Sequence, residues 1–342
     1  MTEAGGARPQ PGGLRRRSLG LWPLLWWSPL AAAPAQGARP IFVLNSLDAT
    51  ISVIDAASRR EVQRIPTGKE PHHLYLTPDE KSLIVGNAAS HSLTFLDPAT
   101  GVLQRTLRDI QDPYHLRFSP DMKWLVVASN RLDKVDLYHW QPAQADRPLR
   151  LARRLDASKT PSHIAIDSRS SVSYVSLQDS HQLLAVDLGT MAPRWTQAVG
   201  KLPADIFLTP DDRTLLVALT GDRVVEAWDV STTPPRLVKR IMTGDGAHAF
   251  RSRGDKRHVF VSNRVANTIS LIDHLRLEVV AEYPGPGGPD CMELLADGRT
   301  LLVSSRWARK LSFVDLESRK VVHQVDVGRS PHGVWTLDHA PR

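Results

Sequence analysis

Pro71-His72-His73-Leu74-Tyr75-Leu76-Thr77-Pro78-Asp79 is the stretch to which this chain keeps returning. Pro113-Tyr114-His115 opens a second version that ends in Ser119-Pro120-Asp121. Others open at Pro161-Ser162-His163, Pro203-Ala204-Asp205, Ala247-His248-Ala249, Pro289-Asp290-Cys291 and Pro331-His332-Gly333. Successive starts lie 42, 48, 42, 44, 42 and 42 residues apart. A period of this size marks a propeller, solenoid or array, and it outranks the two-domain expectation that 342 residues alone would raise.

Within each period the chain reads as four short strands. In the unit opened by Pro71 they fall at 73–76, 82–85, 92–96 and 102–107, each β-branched or aromatic and bounded by Gly, Asn, Asp or Pro. Pro78 presets φ at the second position of a turn, and Asp79 suits the position after it. No stretch sustains a 3.6-residue apolar period, so almost no helix is expected. The second strand ends in Ile84-Val85-Gly86-Asn87, Val127-Ala128-Ser129-Asn130 or Phe260-Val261-Ser262-Asn263. The third ends in Asp55, Asp97, Asp187, Asp229, Asp273 or Asp315, where a short carboxylate can cap the next turn. The third unit departs from this pattern: His139 replaces the aspartate, and 142–154 reads as a longer outer strand or loop.

These tetrapeptides, strand ends and G-x-x-P junctions resemble the YVTN β-propeller family over residues 39–338. The resemblance implies an all-β, seven-bladed propeller of four-stranded antiparallel blades. The strand count agrees. The chain starts on a second strand at Ile41 and finishes on a first strand at 332–337, so pairing the two ends in one blade closes the ring. Closure also removes the free edges of an open array.

Residues 1–35 read as a signal peptide and 36–342 as the propeller. Arg15-Arg16-Arg17 precede an apolar run over 19–30, and Ala33-Pro34-Ala35 supplies a cleavage site. The run is short for a span of about 20 residues, so the expected product is a periplasmic or secreted monomer with no membrane span after cleavage. An uncleaved anchor is the alternative. Arg16-Arg17-Ser18-Leu19 weakly resembles a twin-arginine signal. The formal charge of +7 owes much to this leader, and a mildly basic surface disfavours a nucleic-acid partner. One cysteine, Cys291, excludes an internal disulfide framework and a thiolate cluster.

Repeat-equivalent positions of the first strands form rings around a propeller axis. Aligned on the starts, one ring holds His72, Tyr114, Ser162, Ala204, His248, Asp290 and His332; the next holds His73, His115, His163, Asp205, Ala249, Cys291 and Gly333. Six of the 13 histidines thus share two positions of the repeat. Imidazole is the commonest metal ligand, so His72, His73, His115, His163, His248 and His332 are candidate metal ligands. His72, His248, His332 and Asp290 are the candidate cofactor-binding set at the mouth of the axial channel. The competing reading is that these histidines lock neighbouring blades. Strand alternation further predicts that the two rings cannot both face the channel.

Three functions follow. The first is a non-enzymatic scaffold that binds a protein or small ligand at the rim or channel. The second is a transition-metal- or haem-binding propeller, in cofactor maturation or redox chemistry. It is similar to the d1-haem-domain propellers and the copper-site propeller of nitrous oxide reductase, whose ligand histidines precede a Ser-Pro-Asp-like turn. His72 and His332 stand seven and six residues before Asp79 and Asp338, but no C-x-x-C-H attachment is present. The third, implied by the repeat family, is a lactonase using Asp205, Asp290 or Glu293. No catalytic residue is assigned.

Overall fold

The computed structural model describes residues 1–2, 5–6, 39–144 and 146–342. The chain divides into two units, 1–33 and 34–342, and the second is the subject below. The leader read over residues 1–35 lies, apart from residues 1–2 and 5–6, outside the described residues. Among those described, no helix is long and apolar enough to cross a membrane.

The second unit is seven four-stranded antiparallel sheets. Blade I joins the strand Pro331–Thr336 to Pro40–Asn45, Thr50–Asp55 and Arg60–Pro66, with Phe42 opposite Trp335 and Val43 opposite Val334. The ring therefore closes as expected. Blades II to VII span 71–108, 115–156, 161–198, 203–242, 247–284 and 289–326. One 3-10 turn, Ala88–Ser90, interrupts the β-structure of the described residues.

The inner strands are apolar on both faces because blades stack face to face. Seven apolar clusters fill the seven seams, each drawing on two adjacent blades. Phe42, Ile51 and Trp335 of blade I, for example, meet Leu74, Leu83 and Val85 of blade II. Tyr174 and Leu183 of blade IV meet Ile206 and Trp228 of blade V. Outer strands face water on one side and alternate instead, as Lys320–Asp326 does. The long connection of blade III ends in an eight-residue outer strand, Leu149–Asp156, while His139 stacks its ring on Trp124 at 4.2 Å.

The repeated polar residues hold corners. Asn45, Asn87 and Asn263 donate from Nδ2 to two hydroxyls each on the neighbouring third strand, at 2.9–3.2 Å. The six strand-end aspartates accept backbone N–H groups of the following turn at 2.6–3.0 Å. Trp335 and Trp228 pack in seams as aromatics should, but Trp307 is 56% exposed and belongs to the surface.

Two backbone features govern the axis. In every blade the residue ahead of the repeat start is left-handed: Glu70, Asp112, Thr160, Leu202, Gly246, Gly288 and Ser330. Five of these are not glycine, a conformation costing on the order of 1–3 kcal/mol each that the surroundings must impose. Six blades then carry a β-bulge. Pro71 pairs with Asn87 and Leu74 with Val85, so His72 and His73 together oppose Gly86. The same shift recurs after Pro161, Pro203, Ala247, Pro289 and Pro331. A bulge re-aims side chains. The alternation rule therefore fails at this point, and both rings turn toward the axis.

Candidate functional site

All six aligned histidines meet on the axis. His72 lies 3.6 Å from His332 and 3.9 Å from Tyr114, ring centroid to centroid. His73 lies 4.5 Å from His115, 5.0 Å from His163 and 4.7 Å from His332. His248 stands 6.0 Å from His163 and 6.4 Å from His332. The cluster is not at an open mouth: each of the six is buried, His332 completely. Gly333 makes this packing possible, since a Cβ there would sit 2.6 Å from Leu74 and 3.0 Å from the His72 carbonyl oxygen.

Burial sets the protonation. It pushes His72, His73, His115 and His332 well below the ordinary imidazole range, lowers His163, and brings His248 down to about 3. At neutral pH the cluster is uncharged and carries free lone pairs. One ring nitrogen of each histidine has no hydrogen-bond partner: Nδ1 of His72 and His115, and Nε2 of His73, His163, His248 and His332.

Two tautomers are fixed by their partners. Thr220 donates its hydroxyl proton to the Ala247 carbonyl, so it must accept from Nδ1–H of His248 at 3.0 Å. His332 Nδ1–H donates to the His72 carbonyl at 2.9 Å. Both Nε2 atoms then carry lone pairs, and each lies 3.3 Å from the same atom, Asp290 Oδ1, with no hydrogen-bond alignment to it. Two lone pairs against a carboxylate oxygen repel unless a cation lies between them. For ligands about 2.0–2.1 Å from a tetrahedral ion the edges are about 3.3 Å, which is the separation found.

Asp290 is ionised. Burial alone would raise its pKa, but Arg264, 2.6 Å from Oδ2, holds it well below the usual carboxylate range. Arg306 approaches Oδ2 at 3.2 Å, so the two arginines hold one oxygen and leave the other to the histidines. Cys291 lies 3.4 Å from His332 Nδ1, but burial and then Asp290 push its thiol well up. It is a neutral thiol, not a nucleophile.

Three donor sets result, each with its ligand atoms within 4.8 Å of one another: His72, His73 and His332; His73, His115 and His163; and His248, Asp290 and His332. Every histidine singled out in the sequence belongs to one, as does Asp290. Asp205 has both oxygens taken by backbone N–H groups of Ile206 and Phe250, at 2.8 and 2.7 Å. Glu293 pairs with Arg251 at 2.5 Å and with Arg342. Both of these carboxylates of the lactonase reading thus have partners in the structure, as does Asp290.

Arg264 and Arg306 were not among the expected site residues, and Arg306 reads from sequence as a solvated loop. Their signal was positional. Each directly follows the last residue of a second strand, and Arg131, one residue further along in blade III, likewise pairs with a carboxylate near a repeat start, Asp112, at 3.2 Å. Beside the histidines the fifth residues of the repeats, among them Tyr75, Arg117 and Glu293, line a cavity of about 160 Å³.

The propeller is similar to several solved structures. The dihydro-haem d1 dehydrogenase NirN, solved in complex with DHE, is 16% identical, with a TM-score of 0.67 over 90% of this chain and 78% of that one. The hydrazine synthase of Kuenenia stuttgartiensis is 18% identical, with a TM-score of 0.64 over 79% and 92%. A functionally unknown protein from Desulfotomaculum acetoxidans is 15% identical, with a TM-score of 0.73 over 90% and 100%. At these identities the likeness carries the fold alone. A search of curated proteins by sequence finds no match. A family model for the YNCE-like beta-propeller matches residues 20–342. With its seven blades and repeated tetrapeptides, this chain belongs to the YNCE-like β-propeller family.

Proposed function

We propose that this chain is an exported propeller that binds a transition-metal ion through its axial histidines, with His248, Asp290 and His332 as the primary ligand set. The observation carrying this reading is the gathering of two unprotonated, unpartnered imidazole nitrogens 3.3 Å from one carboxylate oxygen. Hydrogen bonds from the second ring nitrogen, to Thr220 and to the His72 carbonyl, are the kind of support that ligand histidines receive. Imidazole with carboxylate suits zinc, copper or nickel. A purely blade-locking role leaves the six unpartnered nitrogens without purpose, at a cost of about 1–3 kcal/mol for each buried group. Ring centroids as close as 3.6–5.0 Å favour an ion over a macrocycle such as haem. Export rests on the residues at 1–35, and rim loops remain available to partners.

The test is the metal content of the full chain made without a histidine tag, beside His248→Ala and His332→Ala variants. The expected result is about one or more ions per wild-type chain, with the ion at this set lost in each variant. A wild-type protein that emerges metal-free and takes up no zinc, copper or nickel on titration would sink the reading.

A further inference from the structure

The three donor sets differ in what they can reach. His73, His115 and His163 line the axial cavity, whereas His72, His248, His332 and Asp290 do not. A set of three histidines beside open space is the arrangement in which an ion keeps a position for an exogenous ligand. The set of His72, His73 and His332 touches the cavity through His73 alone, and that of His248, Asp290 and His332 not at all.

The cavity walls say what that ligand would be. Asp205 and Glu293 line it, but the first is satisfied by backbone N–H groups and the second by Arg251 and Arg342. Arg117 also lines it, with its guanidinium 5.8 Å from the Tyr75 ring centre, and no carboxylate among the described residues lies within ion-pair distance of it. Tyr75 Oη is 2.8 Å from His115 Nε2. When His115 coordinates through its unpartnered Nδ1, its Nε2–H donates to the Tyr75 oxygen and leaves the phenol proton free to point at a ligand. The cavity therefore offers an unopposed guanidinium, a phenol donor and a three-histidine set.

We propose that this cavity is the binding site of a small anion, an oxyanion or a short carboxylate, held by Arg117 and Tyr75 against an ion on His73, His115 and His163. The inference deepens the metal-binding reading and rests on it for the ion. A cavity near 150 Å³ holds a molecule of benzene's size, so an anion of about six non-hydrogen atoms fits. Planar guanidinium favours two-pronged contact with such anions.

The experiment uses the full chain loaded with Co²⁺, titrated with acetate and with inorganic phosphate while the visible bands are followed. Either anion, or both, is expected to shift the bands. Arg117→Ala is expected to weaken that anion at least about tenfold without changing cobalt stoichiometry, and Arg117→Lys to restore part of the loss. Bands insensitive to both anions, or an unchanged affinity in Arg117→Ala, would overturn the proposal. If wild-type protein takes up no cobalt, the metal reading falls, and calorimetric titration of the metal-free chain decides the anion. Binding that depends on Arg117 keeps the anion site; binding indifferent to Arg117, or none, ends it.

Discussion

The outer corners and the axis of this propeller are built from the same repeat, yet they treat it in opposite ways. At the corners one residue type recurs and performs one task. Asp55, Asp97, Asp187, Asp229, Asp273 and Asp315 each accept the backbone of the next turn. On the axis the equivalent positions have diverged. His73, His115 and His163 give way to Asp205, Ala249, Cys291 and Gly333. Where the repeat is kept it maintains shape. Where it is broken it creates a polar, asymmetric site inside an otherwise apolar ring.

Acid should separate the two regions most strongly. Below about pH 6.5 the unfolded chain protonates its histidines, whereas the buried cluster resists, His248 down to about 3. The histidine contribution is thus complete above that pH and lost as pH falls toward the folded values. Each histidine held neutral is worth up to about 1.4 kcal/mol per pH unit. Urea midpoints of chelator-treated protein should therefore drop steeply between pH 7 and 5, and flat midpoints would show that the cluster charges within the fold. The corner aspartates act later, since Asp187 and Asp273 are both lowered to about 2, by turn N–H groups and Arg194 in one case and chiefly by Arg257 in the other.

Substitution sharpens the contrast. Asp290→Ala leaves Arg264 and Arg306 facing each other without a counter-charge. Removing one partner of a buried pair costs about 3–5 kcal/mol, and partial exposure of both arginines places the expected loss near about 3 kcal/mol. Thermal unfolding of Asp290→Ala beside Asp290→Asn reads it; a change under about 0.5 kcal/mol, the ordinary surface range, would mean the arginines find water instead. The smallest effect belongs to a corner. Asp55→Ala removes one acceptor from the Ser58 turn and should cost about 1 kcal/mol with metal content untouched, measured on the same samples.

The same contrast explains what the sequence could disclose. Repetition made the fold readable: a strand end such as Val53-Ile54-Asp55 appears six times, so each copy supports the others. Alignment also brought His72 and His332 into neighbouring blades, and their rings do stack. What alignment could not show is the left-handed residue and bulge at each repeat start. Alternation fails there because two residues oppose one, as His72 and His73 oppose Gly86. Arg264 and Arg306 escaped notice for a different reason. They come from turns between second and third strands, Arg264 from the preceding blade and Arg306 from Asp290's own, and only the assembled ring brings both to that carboxylate.

The strand Pro331–Thr336 carries both the seal of the ring and a ligand residue, His332. It is synthesised after the other strands of the propeller. Until it docks against Pro40–Asn45, no arrangement of the remaining blades can present two of the three donor sets. An ion bound at those sets, as proposed, would thus certify that assembly is finished, and the compartment in which this last strand docks would be the one whose metal supply the protein samples.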